Sequence, residues 1–270
     1  MTSVDERKRR EAEFHDHLRK GHLEQRWSVE AEKRIADNLE WSNFKWYSIE
    51  RKSLDYVRDW LKQRCGGKRV LDYCCGNGTE SIFLAKQGAR EVVGIDISEE
   101  SIYNCRQQAT ALGLDAIARF EVMDAEVMNF PDNSFDLMSE YGCLHHLDLG
   151  NALPELARVL KPGGSMICAE VLGHNRFIQW YRCATPHLRT AWETEHIIRR
   201  SDLRKAAQYF DGVDIKCFHL ATLAAVPFRK TAVFQALLRV LEGIDEVLLR
   251  IPLLKWQAWM VVFVLDRPKK

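Results

Sequence analysis

A short apolar run that ends in an acid and a glycine-rich turn constrains this chain more than any other feature. Residues 70–79 read VLDYCCGNGT, and a helical pattern begins directly after them. A strand that turns through glycines into a helix directs backbone N–H groups and the positive helix end toward a nucleotide-like ligand. Glycine is needed where the ligand approaches the backbone and where φ is positive. The stretch therefore predicts a βαβ nucleotide-binding unit.

A second acid stands at the separation that such a unit requires. Residues 91–96 read EVVGID and predict the next strand, which ends at Asp96. An acid about 20 residues after the first glycines, here Gly76, reaches the ribose hydroxyls of the ligand. The nicotinamide-binding fingerprint has a third glycine where Ser81 stands, so the pattern departs from that class.

Further strings in the same order predict a specific family. Strands are expected over residues 120–125, 135–141 and 165–171, and a helix over 152–160 is closed by KPGG. The strings VLDYCCGNG, VVGID, VMDAE, FDLMSEYGCLHHL and RVLKPGG resemble those of class I S-adenosylmethionine-dependent methyltransferases that act on small molecules. The resemblance covers about residues 68–172.

Alternating strands and helices predict an α/β fold with helices on both faces of a parallel sheet. The resemblance implies a Rossmann-like, doubly wound sheet of seven mostly parallel strands, with the last two as an antiparallel pair at one edge. Residues 1–47 are expected to form a helical arm or lid. Residues 48–270 are expected to form the methyltransferase domain, with helical segments added at 172–200 and 221–255. Ser201 is a natural N-cap for a helix that reaches residue 210.

Composition and charge argue against several other classes. The 270 residues are 46% hydrophobic and carry a net charge of +1, so no overall field attracts nucleic acid or an anionic membrane. No apolar run suits a signal peptide or a stable membrane span. Eight cysteines without a CxxC pair predict a reducing cytoplasm and no metal site. Cys74 and Cys75 are expected to be small buried residues in a tight turn rather than redox groups.

The resemblance assigns parts of S-adenosylmethionine to particular residues. It implies that Asp72 lies near the ammonium and sulfonium charges, that Asp96 accepts both ribose hydroxyls, and that Asp124 accepts from the adenine amino group. The other cofactor contacts that it implies surround the amino-acid tail, the adenine ring and the methyl group: Cys74, Gly76, Asn77, Gly78, Ile97, Met123, Ala125, Glu140, Tyr141 and Leu144.

The chemistry of methyl transfer asks little of the protein beyond alignment. The sulfonium leaves as a neutral thioether, so the protein mainly places the acceptor in line with the methyl carbon. A general base is needed only if the acceptor is protonated at the working pH. His145 is the expected base, and Glu170 is expected to orient the substrate or the base. The alternative for His145 is a structural role.

The acceptor is expected to be a small, partly apolar molecule, with oxygen as the preferred acceptor atom. Nucleic-acid N-methyltransferases often carry Asn/Asp-Pro-Pro-aromatic after the fourth strand, where this chain has EYGC. The aromatic cluster at residues 41–47 either packs the following helix on the sheet or forms a lid. The second added segment packs on the domain, forms a lid, meets a second subunit of a homodimer, or faces lipid. The expected substrate-binding residues are Tyr47, Trp180, Tyr181, His187, Arg189 and His196.

Two other functions remain compatible with these patterns. A non-catalytic partner protein that kept the fold would bind the cofactor without transferring its methyl group. A nicotinamide-dependent oxidoreductase is disfavoured by Ser81 and by the LKPGG string. Measurements of cofactor binding and of methyl turnover separate the three functions.

Overall fold

A seven-stranded sheet runs through the part of the chain that the computed structural model describes, residues 3–19 and 44–270. Its order is β3-β2-β1-β4-β5-β7-β6. Neighbouring strands are parallel except around β7, which runs antiparallel to both β5 and β6. The predicted Rossmann-like sheet is therefore confirmed. The strands are β1 (Arg69–Tyr73), β2 (Glu91–Asp96), β3 (Ala118–Val122), β4 (Phe135–Tyr141), β5 (Leu160–Val171), β6 (Phe210–Phe218) and β7 (Met260–Pro268).

Helices and short 3₁₀ turns connect these strands. Within the described ranges, no helix is long and apolar enough to cross a membrane. The 3₁₀ turns cover Leu144–His146, Pro186–Leu188, Ala221–Phe228 and Leu254–Gln257. The helices are α1 (Ser3–Arg19), α2 (Phe44–Tyr47), α3 (Arg51–Lys62), α4 (Thr79–Lys86), α5 (Glu99–Ala111), α6 (Leu149–Val159), α7 (Arg176–Ala184), α8 (Ala191–Glu195), α9 (Arg200–Ala206) and α10 (Phe234–Leu248).

Successive strand residues feed apolar clusters on opposite faces of the sheet. Val70 packs into one cluster and Leu71 into the other, and Leu137 and Met138 divide in the same way. Side chains alternate between the faces of a strand, so a strand covered on both faces reads as a continuous apolar run. This arrangement explains why apolar residues stand side by side in β1 and β4, at positions 70–71 and 137–138.

Side-chain caps mark the starts of two helices beside the sheet edge. Ser98 Oγ accepts from the N–H of Ser101 at 3.0 Å and begins α5, and Asp148 accepts from the N–H of Gly150 at 2.8 Å and begins α6. Each cap satisfies one of the backbone donors that a helix start leaves open. Both helices therefore begin at residues that follow the carboxyl-end turns of β2 and β4.

Some predicted boundaries are wrong. Ser201 lies inside α9, because the helix begins at Arg200 and the carboxylate of Asp202 accepts from the N–H of Arg199 at 2.9 Å. The fifth strand begins at Leu160 rather than at residue 165, since the KPGG stretch stays extended beside β4 with a shift in register between Phe135 and Leu137. Trp41, which belongs to the predicted aromatic cluster, lies outside the described residues.

Cys74 and Cys143 form a disulfide, which corrects the expectation that Cys74 only fills a tight turn. Cys74 follows β1 and Cys143 follows β4, and these two strands are neighbours in the sheet. The pairing joins residues 69 positions apart in the sequence, with a Cα–Cα distance of 6.2 Å. Cys75 keeps a free, partly buried thiol.

Helix α10 turns two carboxylates inward and several apolar side chains outward. Asp245 is buried and accepts from the N–H groups of residues 220–222 and from Thr222 Oγ1, the last at 2.8 Å. Glu242 is also buried and accepts two hydrogen bonds from Arg51. Among the outward apolar side chains, Ile244 is 42% exposed.

We expect the buried cap at Asp245 to stabilise the fold. Asp245→Ala leaves several buried donors without their acceptor, so the free energy of unfolding should fall by roughly 1.5–3 kcal/mol. The matched control is Glu246→Ala on the same helix, whose exposed ion pair with Lys52 contributes less than about 1 kcal/mol. Denaturant titrations would measure both, and equal losses would contradict a structural role for Asp245.

Candidate active site

A cavity of about 490 Å³, here called the first cavity, opens at the carboxyl ends of β1, β2 and β4. The strand order reverses between β1 and β4, which makes this the switch point where open α/β sheets bind ligands. The volume lies within the range of roughly 300–1,000 Å³ that is typical of small-molecule sites. The predicted cofactor residues that line it are Asp72, Cys74, Gly76, Asp96, Ile97, Asp124, Ala125 and Tyr141.

The turn after β1 requires glycine for geometric reasons. Gly76 and Gly78 have φ angles of 51° and 76°, which lie in the left-handed region. A Cβ at Gly78 would also lie 2.8 Å from the sulfur of Cys105. The turn therefore brings the backbone against the first cavity and delivers the chain into α4.

Asp96 links the end of β2 to the glycine-rich turn. Its carboxylate accepts from the N–H of Gly76 and from the N–H of Ser98, each at 2.9 Å. A carboxylate offers about four lone-pair sites, so two backbone donors leave capacity for further hydroxyl groups. The side chain is thereby held in place at the wall of the first cavity.

Asp72 is buried beneath the turn between two serines. Its carboxylate accepts from Ser81 Oγ at 2.5 Å and from Ser139 Oγ at 3.2 Å. Burial raises the pKa of Asp72 to about 7. The hydroxyl of Ser81 explains why a serine occupies the position where the nicotinamide fingerprint has glycine.

Helix α1 lies across the side of the first cavity that Asp124 and Glu126 line. Lys8 pairs with Asp124, and Arg7 pairs with Glu126 while its guanidinium lies 4.3 Å from the ring centre of Trp192. Burial favours the neutral form of Glu126, but the N–H of Asp148 and the charge of Arg7 hold its pKa below its usual range. The basic side chains of α1 thus neutralise acids at the cavity wall.

A buried chain of ionisable groups lies behind the ends of β4 and β5. His145 Nδ1 lies 2.7 Å from Glu170 Oε2, and both residues are buried. Although burial favours the neutral ring, Glu170 and then Glu193 hold the pKa of His145 above its usual range. Burial and the neighbouring Glu170 raise the pKa of Glu140 well above its usual range. The site therefore favours the protonated form of Glu140, and Glu170 favours the charged form of His145.

A smaller cavity of about 60 Å³, the second cavity, adjoins the first. Tyr141 and Gly142 line both cavities, so the two meet at the end of β4. The phenol of Tyr141 donates to Glu50 at 2.6 Å beside this junction. Two other groups of residues line the second cavity, the aromatic side chains of Trp46, Tyr47, Tyr181 and Trp259, and the charged side chains of His145, Arg182, Arg189 and Glu193.

The predicted substrate-binding residues fall into two groups. Tyr47, Tyr181 and Arg189 line the second cavity. Trp180 is 66% exposed with its ring 6.1 Å from that of Phe177, and His196 is exposed and stacks on Trp192. The 3₁₀ turn Pro186–Leu188 contains His187, whose side chain lies outside the described part of the structure.

Five predicted cofactor residues do not line the first cavity. Asn77 and Gly78 lie in the turn, where Asn77 accepts from Asn104 at 3.3 Å. Leu144 is fully buried, and Met123 packs against the same apolar cluster. Glu140 accepts from the N–H groups of residues 143 and 144 and so shapes the turn after β4.

Several residues at the two cavities carry no local pattern that would have predicted them. Their positions depend on contacts between distant segments. Examples are the contact of α1 with the 3₁₀ turn Leu144–His146 and the contact of α7 with α8. The carboxylate of Glu126 is the exception, since it follows Asp124 by two positions at the end of a strand. These additional residues are Arg7, Lys8, Glu11, His15, Glu50, Glu126, His146, Arg182 and Glu193.

Two trios of potential metal ligands lie between the cavities. Glu11, His15 and His146 bring ligand atoms within 4.8 Å of one another, as do His145, His146 and Glu193. Such residues suit zinc. They are also internally paired, since His146 Nδ1 lies 3.0 Å from Glu11. The absence of a metal stays a prediction.

Part of the amino-acid sequence matches a known protein family. Residues 70–164 match the family described as a methyltransferase domain. A 27-O-demethylrifamycin SV methyltransferase of Amycolatopsis mediterranei is 36% identical over 107 residues, which are 39% of each protein. A demethylmenaquinone methyltransferase of Lactiplantibacillus plantarum is 34% identical over 143 residues, 48% of this chain and 60% of that protein. The chain thus spans only part of the length of these relatives.

The fold extends the likeness beyond the matched residues. A geranyl diphosphate C-methyltransferase of Streptomyces coelicolor, solved with Mg²⁺, geranyl diphosphate and S-adenosyl-L-homocysteine, superposes with a TM-score of 0.60. The sequence identity is 16%, and the superposition covers 92% of this chain and 89% of that protein. Residues 70–164 of the chain thus match a methyltransferase domain, and the whole chain has the fold of this methyltransferase structure.

Proposed function

We propose that the protein transfers the methyl group of S-adenosylmethionine to a small, partly apolar molecule, with oxygen as the preferred acceptor atom. The observation that carries this proposal is the first cavity, where a glycine turn and three acids meet at the switch point of the sheet. The named relatives act on a rifamycin and on demethylmenaquinone, which supports a small acceptor.

The residues of the first cavity suit the cofactor that the family uses. Asp96 has acceptor capacity for ribose hydroxyls, and Asp72 supplies negative charge when it is ionised. Asp124 is the acceptor for the adenine amino group, and its lone pairs leave room for that contact beside Lys8. The bound cofactor supplies a methyl group that is already activated as a sulfonium.

We also propose that residues 1–47 act as a lid and that residues 48–270 form the catalytic domain. Helix α1 supports this division, because Arg7, Lys8, Glu11 and His15 line the first cavity from outside the sheet. In this arrangement the arm excludes water from the charges of the site, which strengthens electrostatic contacts within it.

His145 is the proposed general base, and Glu170 is a positioning residue. Glu170 holds the Nδ1 side of the ring, and His145 contributes to the wall of the second cavity. The ring must be neutral to accept a proton from an acceptor hydroxyl. Although burial favours the neutral ring, Glu170 and Glu193 hold the pKa of His145 above its usual range, so the neutral ring forms at a higher pH than in an isolated histidine.

Cofactor affinity should depend on Asp96. Asp96→Ala removes the proposed hydrogen bonds to the ribose, each with a contribution of roughly 1.5–3 kcal/mol at most. We expect at least a tenfold weaker affinity for S-adenosylhomocysteine by calorimetry, since about 1.4 kcal/mol corresponds to tenfold. Asp115→Ala, at an exposed position, is the matched control. Unchanged affinity in the Asp96 variant would remove this carboxylate from the site.

Catalysis should depend on pH through His145. The methyl-transfer rate should rise with pH through an inflection above 6.5, because the neutral ring is the active form. Glu170→Gln removes the charge that raises this pKa and should move the inflection to lower pH. His145→Ala should lower the rate by roughly 10²–10⁴-fold.

The control for this series is Glu195→Gln, at an exposed position on α8, the helix that also carries Glu193. It should leave the pH profile in place. A fully active His145 variant with an unchanged profile would show that alignment alone drives the reaction and would return His145 to a structural role.

A further inference from the structure

The second cavity places two buried cations around one carboxylate. Arg182 and Arg189 are 6% and 8% exposed, and Glu193 is 7% exposed. Arg182 Nη2 lies 3.2 Å from Glu193 Oε1, and Arg189 Nε lies 3.5 Å from the same oxygen. A single carboxylate oxygen therefore serves both guanidinium groups.

Two other acids near this cavity have contacts of their own. Glu170 Oε2 lies 2.7 Å from His145 Nδ1. Glu50 accepts from the phenol of Tyr141, and Lys45 Nζ lies 4.1 Å from the ring centre of Tyr181.

One buried donor of this pair has no acceptor. Arg182 Nε is buried and has no hydrogen-bond partner among the described residues. Burial, followed by the like charge of Arg182, holds the pKa of Arg189 below its usual range. Buried cations are normally paired with anions, because burial without a partner is costly. Two arginines that share one carboxylate oxygen therefore suit a further anion.

The size of the second cavity limits which chemical groups can bind in it. A water molecule needs roughly 10–15 Å³ on this measure, so about 60 Å³ accepts a small polar group but no whole substrate. Trp46, Tyr181 and Trp259 form its apolar walls. Its junction with the first cavity at Tyr141 and Gly142 lets a molecule place one end here and another end beside the cofactor.

We propose that the second cavity binds an oxyanion of the methyl acceptor, a carboxylate or a phosphate ester, through Arg182 and Arg189. The proposal rests on the methyltransferase function proposed above and names the class of its substrate. Arginine suits this role because its planar N–H groups match the oxygens of carboxylates and phosphates. A neutral analogue leaves the buried charge uncompensated, so the site discriminates against it.

The test compares para-substituted phenols with and without an anionic group. para-Hydroxybenzoate and para-hydroxyphenyl phosphate carry the anion, para-hydroxybenzamide is the neutral analogue, and inorganic phosphate probes the free ion. Binding to the full chain with S-adenosylhomocysteine would be measured by calorimetry. We expect at least one anionic phenol to bind about 30-fold more tightly than the amide, the lower bound for pairing a buried charge. The anion that binds more tightly shows whether the acceptor carries a carboxylate or a phosphate ester.

Two variants with opposite expected signs separate recognition from general structural damage. Arg189→Met keeps much of the side-chain volume and should abolish the preference for the anion. Glu193→Gln removes the competing carboxylate and should tighten anion binding several-fold, whereas loss of structure would weaken binding in both variants. Arg204→Met, at an exposed position on α9, is the control and should bind as the unmodified chain does.

The outcomes distinguish this inference from the proposed function. Equal binding of the anionic phenols and the amide, including no binding of any of them, overturns the oxyanion site. Binding of inorganic phosphate alone, without preference among the phenols, also overturns it, since the acceptor is then not the ligand. Labelled methyl transfer is measured in parallel: an anion preference without turnover of any acceptor supports the site and overturns the function, whereas equal turnover of amide and anions does the reverse.

Discussion

The hydrogen bonds of the Asp96 carboxylate hold together the geometry on which the rest of the site depends. One oxygen accepts from Gly76 in the turn after β1, and the other accepts from Ser98 at the start of α5. Two adjacent strand ends are thus tied by one side chain. The glycine turn keeps its left-handed backbone, and α5 begins where its cap requires. The first cavity is the space that these tied ends leave open.

Behind this frame, buried ionisable groups exchange roles through their surroundings. Glu140 and Glu170 are neighbouring carboxyl groups at the ends of adjacent strands, and like charges so close together do not both ionise. His145 favours the charged form of Glu170 and lowers its pKa against the effect of burial, whereas burial and Glu170 raise the pKa of Glu140. Glu140 then shapes the backbone turn, while Glu170 orients the ring. Two acids of the same type therefore perform different tasks because only one of them has a cationic partner.

The parts that local sequence patterns predict are those that local physics determines. The strand, glycine turn and helix of residues 70–86 follow from neighbouring residues, and the strand-end acids Asp72 and Asp96 lie where the pattern predicts. The disulfide of Cys74 with Cys143 depends on the pairing of β1 with β4 across a long separation. Arg182 has no pattern of its own, since its role arises only when α7 folds against Glu193. Boundaries such as that of β5 shift because pairing with a neighbour extends a strand beyond its intrinsic preference.

The contact of Lys8 with Asp124 has a consequence for how ligands enter. An arriving molecule meets a carboxylate whose charge the ammonium group already balances, while lone pairs remain for further donors. The ion pairs of α1 are partly exposed, so dissolved salt screens them more than it screens the buried hydrogen bonds of Asp96. Ionic strength therefore weakens the ion pairs at the entrance of the site more than the hydrogen bonds of Asp96. The rate of ligand entry and the affinity of the bound ligand consequently respond differently to salt, although both depend on one cavity.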